Sequence, residues 1–204
     1  MVETKQTPQA WTLDGLCERV HGCTRCPLSS TRTNVVFGEG NPDARVLFVG
    51  EGPGEVEDQT GRPFVGPAGQ KLDEVLASVE IARESVYITN VVKCRPPGNR
   101  VPSRSEMECC FPYLEAQIAM IKPALIVTLG NTSSQWLMPE IPGITKSHGS
   151  FFAWRGDILM MPMFHPSYLL RNPSRAKGSP KYLTWLDVQK VRKWIDEFEH
   201  ADNA

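Results

Sequence analysis

Four short strand-like runs recur along the chain, at Arg45–Val49, Val86–Val92, Ala124–Leu129 and Asp157–Met163. Each is rich in apolar and β-branched residues and too short for a stable helix. Each therefore reads as a strand buried on both faces. Between the runs the apolar period changes. Leu72, Val75, Leu76 and Val79 in Ala68–Val79 return every three or four residues, as one face of a helix does. Met107, Cys110, Leu114, Ile118 and Ile121 repeat that spacing in Ser105–Ile121, and Ser105 three residues before Glu108 resembles a capping box. Asn131–Met138 follows Gly130, and a closing helix at Lys181–Glu199 carries Leu183, Leu186, Val191, Trp194, Ile195 and Phe198. A further helix near Gln9–His21 precedes the first strand.

Alternating β and α units with short apolar strands predict an α/β fold. The expected form is a three-layer α/β/α sandwich around a short, mainly parallel sheet of about four strands. A single domain spanning 1–204 fits the length, with the ends 1–8 and 200–204 expected to be flexible. Open sheets of this kind bind ligands beyond the carboxyl ends of their strands. Glu51, Asn90, Gly130 and His165 each fall at or just past such an end, so four strands should converge on one cleft.

Composition adds limits. The chain is 41% hydrophobic and 22% charged, as an ordinary globular protein is. Its longest apolar runs, Ala124–Leu129 and Ile158–Phe164, are far shorter than a membrane span, and Pro162 interrupts the second. No membrane is expected as a partner. The polar start MVETKQTPQAWT has no signal-peptide core, so the cytoplasm is the expected location. A net charge of −1 argues weakly against a nucleic-acid partner. The distribution argues for one. Lys93, Arg95, Arg100 and Arg104 occur with no acid between them, and Lys146, Arg155, Arg171, Arg175, Lys177 and Lys181 are set against Asp157 alone. A local basic face binds phosphates whatever the total charge.

Six cysteines stand at 17, 23, 26, 94, 109 and 110. A cytoplasmic chain has no use for structural disulfides. A thioredoxin-type pair needs its C-x-x-C between a strand and a helix, and Cys23–Cys26 lies before the first strand. Four thiolates suit either structural zinc or an iron–sulfur cluster, and free core thiols are the bland alternative. Cys109 and Cys110 are adjacent on a helix and should point apart, leaving one as a ligand.

Two runs carry the remaining chemistry: GEGPGEVEDQTGRPFVGPAG at 50–69 and FHPSYLLRNPSR at 164–175. They supply a carboxylate, an aromatic face, an imidazole and an apolar wedge, the parts needed to extract a base from DNA and cut its glycosidic bond. Each part has a plainer reading. Glu51 could be a turn carboxylate, Asn90 a helix cap, Phe64 and the leucine pair core residues, and His165 a polar strand end.

Together with CTRCPL, VYITNVVKCRPPGNR and TWLDVQKV, these runs resemble the family 4, iron–sulfur uracil-DNA glycosylases. The likeness extends from about Cys23 to Val191. It implies an α/β/α sandwich, a 4Fe–4S cluster held by Cys23, Cys26, Cys94 and Cys110, and removal of uracil from DNA in base-excision repair. Cys17 and Cys109 have no counterpart in the family pattern. The resemblance assigns His165 to the uracil 2-carbonyl and Glu51 to the water or the cationic sugar. Asn90 would read the 4-carbonyl and imide N–H, Phe64 would stack on the base, and Glu57 would stand near the uracil 5-position. Gly52, Pro53 and Gly54 would bring backbone N–H groups close. Leu169 would be the wedge entering the duplex, and Arg171 and Arg175 phosphate contacts. A uracil-crosslinking relative has a His-containing loop where this chain has CRPPGNRVPS, so covalent capture of DNA is not expected. DNA is the expected partner, a sliding clamp a candidate one, and a monomer the expected state. Two other readings stay open: an inactive DNA-binding module on this fold, and a glycosylase for another deaminated base such as hypoxanthine.

Overall fold

The computed structural model describes residues 12–202. Helix α1, Leu13–His21, is capped by Thr12, whose side chain accepts the Gly15 N–H. The rest of the expected segment, 9–11, lies outside the described residues, as does the expected flexible end at 1–8. A two-residue strand β1, Glu39–Gly40, leads to β2, Val46–Gly50, and then to helices α2, Glu55–Thr60, and α3, Pro67–Ala77. Strand β3, Tyr87–Asn90, is followed by α4, Arg104–Ile121, β4, Leu125–Leu129, α5, Asn131–Leu137, and α6, Ile144–Ser147. The short β5, Phe152–Ala153, precedes β6, Leu159–Met163, α7, Pro166–Arg171, and α8, Pro180–Asp202. Helix α8 thus runs into the stretch 200–204 that sequence leaves as a flexible end; 203 and 204 lie outside the described residues.

The sheet order is β1-β3-β2-β4-β6-β5. The four central strands are parallel, and the two short outer ones pair antiparallel. The expected class holds, with two edge strands added to the four foreseen. Successive residues of each strand serve opposite faces. Leu47, Val49, Ile126 and Met160 join the core under α1, α4 and α5. Val46, Phe48, Leu125, Val127, Leu129 and Met161 join the core under α3 and α8. Pro162 is tolerated in β6 because β5 pairs only with Leu159 and Met160, and its carbonyl accepts the Gly149 N–H at 2.8 Å.

The capping box of α4 lies two residues earlier than expected. Ser103, not Ser105, is the cap: it accepts the Glu106 N–H at 3.2 Å, and Glu106 accepts the Ser103 N–H at 2.7 Å. Arg100 reinforces that choice by gripping Glu106 with two hydrogen bonds of 2.8 and 2.7 Å. No helix among the described residues is long and apolar enough to cross a membrane.

Candidate active site

Parallel pairing brings the ends of β3, β2 and β6 to a cavity of about 550 Å³, whereas Gly130 at the end of β4, expected at the same cleft, packs against the His165 side chain and does not line it. Glu51, Gly52, Glu57, Phe64, Asn90, His165 and Arg171 all line it.

Asn90 closes β3 and is 1% exposed, yet its Oδ1 is buried with no hydrogen-bond partner. A buried acceptor left unpaired costs about 1–3 kcal/mol. In a cavity wall, that vacancy suits a donor on a ligand. Gly50 makes room for it. A Cβ at Gly50 would stand 2.4 Å from Asn90 Oδ1 and 2.5 Å from the Phe64 ring.

Phe64 is 5% exposed and holds a left-handed φ of 50°. That conformation costs a bulky residue of order 1–3 kcal/mol and persists only where neighbours impose it. Here Arg83 donates to Pro63 O at 2.6 Å, and Glu57 accepts the N–H groups of Val65 and Gly66 at 3.0 and 2.8 Å. The result is a ring 5.9 Å from that of His165, tilted by 37°. Glu57 also takes the Gly54 N–H at 3.1 Å, so one buried carboxylate ties together the starts of α2 and α3. A polar group committed to three N–H donors presents a fixed wall to the cavity.

His165 follows β6 as the cap of α7. Its Nδ1 accepts the Ser167 N–H at 3.1 Å and lies 2.8 Å from the Ser167 hydroxyl. Burial, with the Arg171 charge adding to it, pushes its pKa down to about 4, against a smaller opposing pull from Glu57. The ring is therefore neutral near pH 7. Because a main-chain N–H can only donate, the proton of the neutral ring resides on Nε2. Ser167 escaped the sequence reading, although the HPS run contained it.

Two assignments change. Leu169, expected as the wedge, is 1% exposed and packed inside, so it cannot enter a duplex from this position. Its neighbour Leu170 is 42% exposed and lines the cavity. On a helix adjacent residues face about 100° apart, and sequence spacing alone did not choose between them. The basic stretch 93–104 is also not an open basic face. Lys93 is fully buried, its ammonium donating to Asn90 O at 2.7 Å, and burial pulls its pKa down to about 7. Arg100 and Arg104 pair with Glu106 and Glu108, and Arg95 lies 3.8 Å from Glu55. Arg171 and Arg175 are exposed, and only Arg171 reaches the cavity. Pro96, Asn99 and Arg100 form a wall that sequence reasoning did not assign.

Cys23, Cys26, Cys94, Cys109 and Cys110 line a second, small cavity, and Cys17 is elsewhere, its Sγ 3.6 Å from His21 Nδ1. Cys109 was expected to point away; it shares the cavity with Cys110. Arg32 donates to Cys94 Sγ at 3.2 Å, and the Lys93 N–H to Cys110 Sγ at 3.3 Å. Burial pushes the Cys110 thiol up to about 11 and raises those of Cys94 and Cys26. A bound metal reverses such a shift by deprotonating its ligands. No group of three or more His, Cys, Asp or Glu among the described residues has the geometry to hold a metal ion. Tetrahedral zinc with Zn–S bonds of about 2.3 Å needs its sulfurs much closer together than a multi-iron cluster does. The donor set around this small cavity is wholly cysteine, which is the chemistry of a thiolate-held metal group.

Comparison with known proteins agrees with this geometry. The sequence profile of the Uracil DNA glycosylase superfamily matches residues 37–189. The chain is similar to the type-4 uracil-DNA glycosylase of Thermotoga maritima, with 51% identity over 87% of this chain and 92% of the relative. It is similar to that of Sulfurisphaera tokodaii, with 44% identity over 94% and 92%. With that of Saccharolobus solfataricus, identity is 43% over 81% and 80%.

Proposed function

The chain belongs to the type-4 branch of the uracil-DNA glycosylase superfamily, and from that premise we propose how its residues act. It is a uracil-DNA glycosylase of base-excision repair: it hydrolyses the N-glycosidic bond of deoxyuridine in DNA, leaving an abasic site.

We infer a division of labour set by where charge develops. The C1′–N1 bond breaks with its electron pair going to uracil, and water adds to C1′, its released proton neutralising the departing uracil anion by way of solvent. Negative charge grows on the uracil 2-oxygen and positive charge on the sugar. His165, neutral and protonated on Nε2, donates to that oxygen. A preorganised donor aimed at developing charge contributes about 2.7–4 kcal/mol. Glu51 orients the water and opposes the sugar's positive charge. Phe64 stacks on the extracted base, and Glu57 with its fixed carboxylate stands at the 5-position, where thymine carries a methyl group. Gly52 lets backbone N–H groups approach.

The observation that carries the uracil reading is the unpaired Oδ1 of Asn90. It accepts the imide N–H of uracil while the amide nitrogen donates to the 4-carbonyl. Cytosine offers a bare ring nitrogen and an amino group there, so both bonds fail. Cleavage of oligonucleotides bearing U, T, C or hypoxanthine, followed by alkali, tests this. Breakage at U and not at C is expected, and equal breakage at C refutes it; hypoxanthine, which offers the same N–H and carbonyl pair as uracil, tests the size of the cavity and not the Asn90 contact.

Cys23, Cys26, Cys94 and Cys110 would hold a 4Fe–4S cluster. The group supplies stiffness when bound, not hydrolysis. Cys94 and Cys110 bracket the segment that includes Pro96, Asn99 and Arg100, so fixing both ends fixes that wall. Leu170 takes the wedge role, and Arg171 and Arg175 hold phosphates. The protein acts as a one-domain monomer in the cytoplasm, where free cysteines persist.

A further inference from the structure

The strand that delivers His165 is braced from behind by groups outside the cavity. Asp187 of α8 is 2% exposed, and its Oδ2 accepts from Nδ1 of His148 at 2.8 Å. The His148 ring stacks on Phe164 with centroids 4.6 Å apart and planes 33° apart. Phe164 directly precedes His165, and its ring meets Tyr168 of α7 at 5.5 Å. One main-chain bond and one from the Lys190 ammonium complete the brace. The Gly149 N–H donates to Pro162 O at 2.8 Å, and Lys190 of α8 donates to Gly149 O at 2.7 Å. Gly149 has a φ of 67°, and a Cβ there would fall 1.9 Å from Asp187 Oδ1. Only glycine allows that approach.

A buried carboxylate is costly unless it is paired. Hydrolysis as read above uses neither Asp187 nor His148, and neither lines the cavity. Mechanically, the pair joins α8 to the turn at 148–149, and the turn to the Phe164 ring. Phe164 is one peptide from His165. A misplacement of about 1 Å caused far from the chemistry can cost on the order of a hundredfold in rate.

We propose that the Asp187–His148 pair is a positioning device for His165, setting through Phe164 the angle at which the imidazole meets the base. This rests on the reading of His165 as donor to the 2-carbonyl. Single-turnover cleavage of a uracil-containing oligonucleotide tests it, because amplitude reports the folded, active fraction and the rate constant reports alignment. His148→Phe keeps the ring stack and removes the pair. Asp187→Asn removes the charge. His148→Arg restores both, since a guanidinium pairs with carboxylate and stacks on aromatic rings. His148→Phe and Asp187→Asn should lower the rate constant about 10- to 100-fold with amplitude and DNA affinity retained. His148→Arg should recover the wild-type rate constant. Loss of amplitude at an unchanged rate constant would mean a merely structural brace and overturns the proposal. So does a His148→Arg protein as slow as His148→Phe. Should Asp187→Asn fail to fold, the two His148 variants decide. His165→Ala separates the two readings. If it is fully active, the donor reading fails and this one with it. If it is inactive while His148→Phe and Asp187→Asn run at the wild-type rate, only the positioning proposal fails.

Discussion

The main-chain N–H of Ser167 donates to Nδ1 of His165 at 3.1 Å, which leaves Nε2 as the protonated nitrogen of a neutral ring. The consequence is a particular pH profile. The His165 pKa is pushed from 6.5 down to about 4, chiefly by burial. Between those values the folded chain binds fewer protons at this site than the unfolded one. The stability involved is complete above about pH 6.5 and declines as pH falls toward 4. The donor itself stays in its working form down to about pH 4. The single-turnover rate should therefore show no loss attributable to His165 near pH 6.5. An NMR titration of the free protein should place the imidazole midpoint near 4; a midpoint near 6.5 would refute the neutral-donor account.

His165→Ala should lower the single-turnover rate by roughly two orders of magnitude or more with DNA binding little changed, because the bond matures only as uracil becomes an anion. A parallel loss of binding would instead make His165 a ground-state contact.

Leu169 and Leu170 should separate cleanly. Leu169→Ala empties a core site and should cost about 2–5 kcal/mol in stability, read by denaturant unfolding. Leu170→Ala should leave stability nearly unchanged. It should slow cleavage of duplex substrates more than single strands, since only the duplex must be unstacked. Equal slowing on both would remove Leu170 from the wedge role.

The strands, and the convergence of three of their four ends, were legible because central parallel strands are apolar on both faces and short; Gly130 at the fourth end supports His165 instead of lining the cavity. Their carboxyl ends then followed from the α/β alternation alone. Helices α2, α6 and α7 were not legible, since six, four and six residues are too few to display a helical period. Two overlapping patterns, Ser103–Glu106 and Ser105–Glu108, both satisfy the capping-box rule, and the Arg100 contact that favours the first is not local. For the same reason the basic run 93–104 misled: its three arginines are matched by acids on α2 and α4, and Lys93 is buried.

The cysteine cavity predicts a coloured protein. Cys23→Ala, Cys26→Ala, Cys94→Ala and Cys110→Ala should each bleach the visible absorption and destabilise the fold. Cys17→Ala should not. Cys109→Ala is the sharper control, because Cys109 shares the cavity but is not one of the four proposed ligands. It should keep its colour. Stoichiometric zinc without iron after anaerobic purification would overturn the cluster reading.

Arg171→Ala and Arg175→Ala should weaken binding to every DNA sequence alike and lower the salt slope by about one per lost phosphate contact. Unchanged slopes would take either residue out of the interface. Arg171 should show a second effect, because its charge helps hold the His165 pKa down. Removing it should raise the acid limb of activity, whereas Arg175→Ala should leave that limb in place.

Asn90 tests selection apart from chemistry. Its Oδ1 is buried and unpaired in the free protein, so part of the cost of reading uracil is already present before DNA arrives. Asn90→Ala removes that buried acceptor along with the donor. The variant should fold at least as stably as wild type, since no polar atom is left stranded, yet excise uracil far more slowly. Asn90→Asp keeps the acceptor and loses the donor to the 4-carbonyl. An ionised carboxylate there would repel the uracil 4-oxygen, while a protonated one could present a hydroxyl to cytosine's bare ring nitrogen and an acceptor to its amino group. Discrimination should therefore narrow from both sides: slower excision of uracil, and cytosine excision increasing as pH falls. The measurement is the ratio of single-turnover rates on U and C across pH. A ratio that Asn90→Asp leaves at its wild-type value would place base selection elsewhere in the cavity, with the fixed wall of Glu57 and Phe64 as the next residues to substitute.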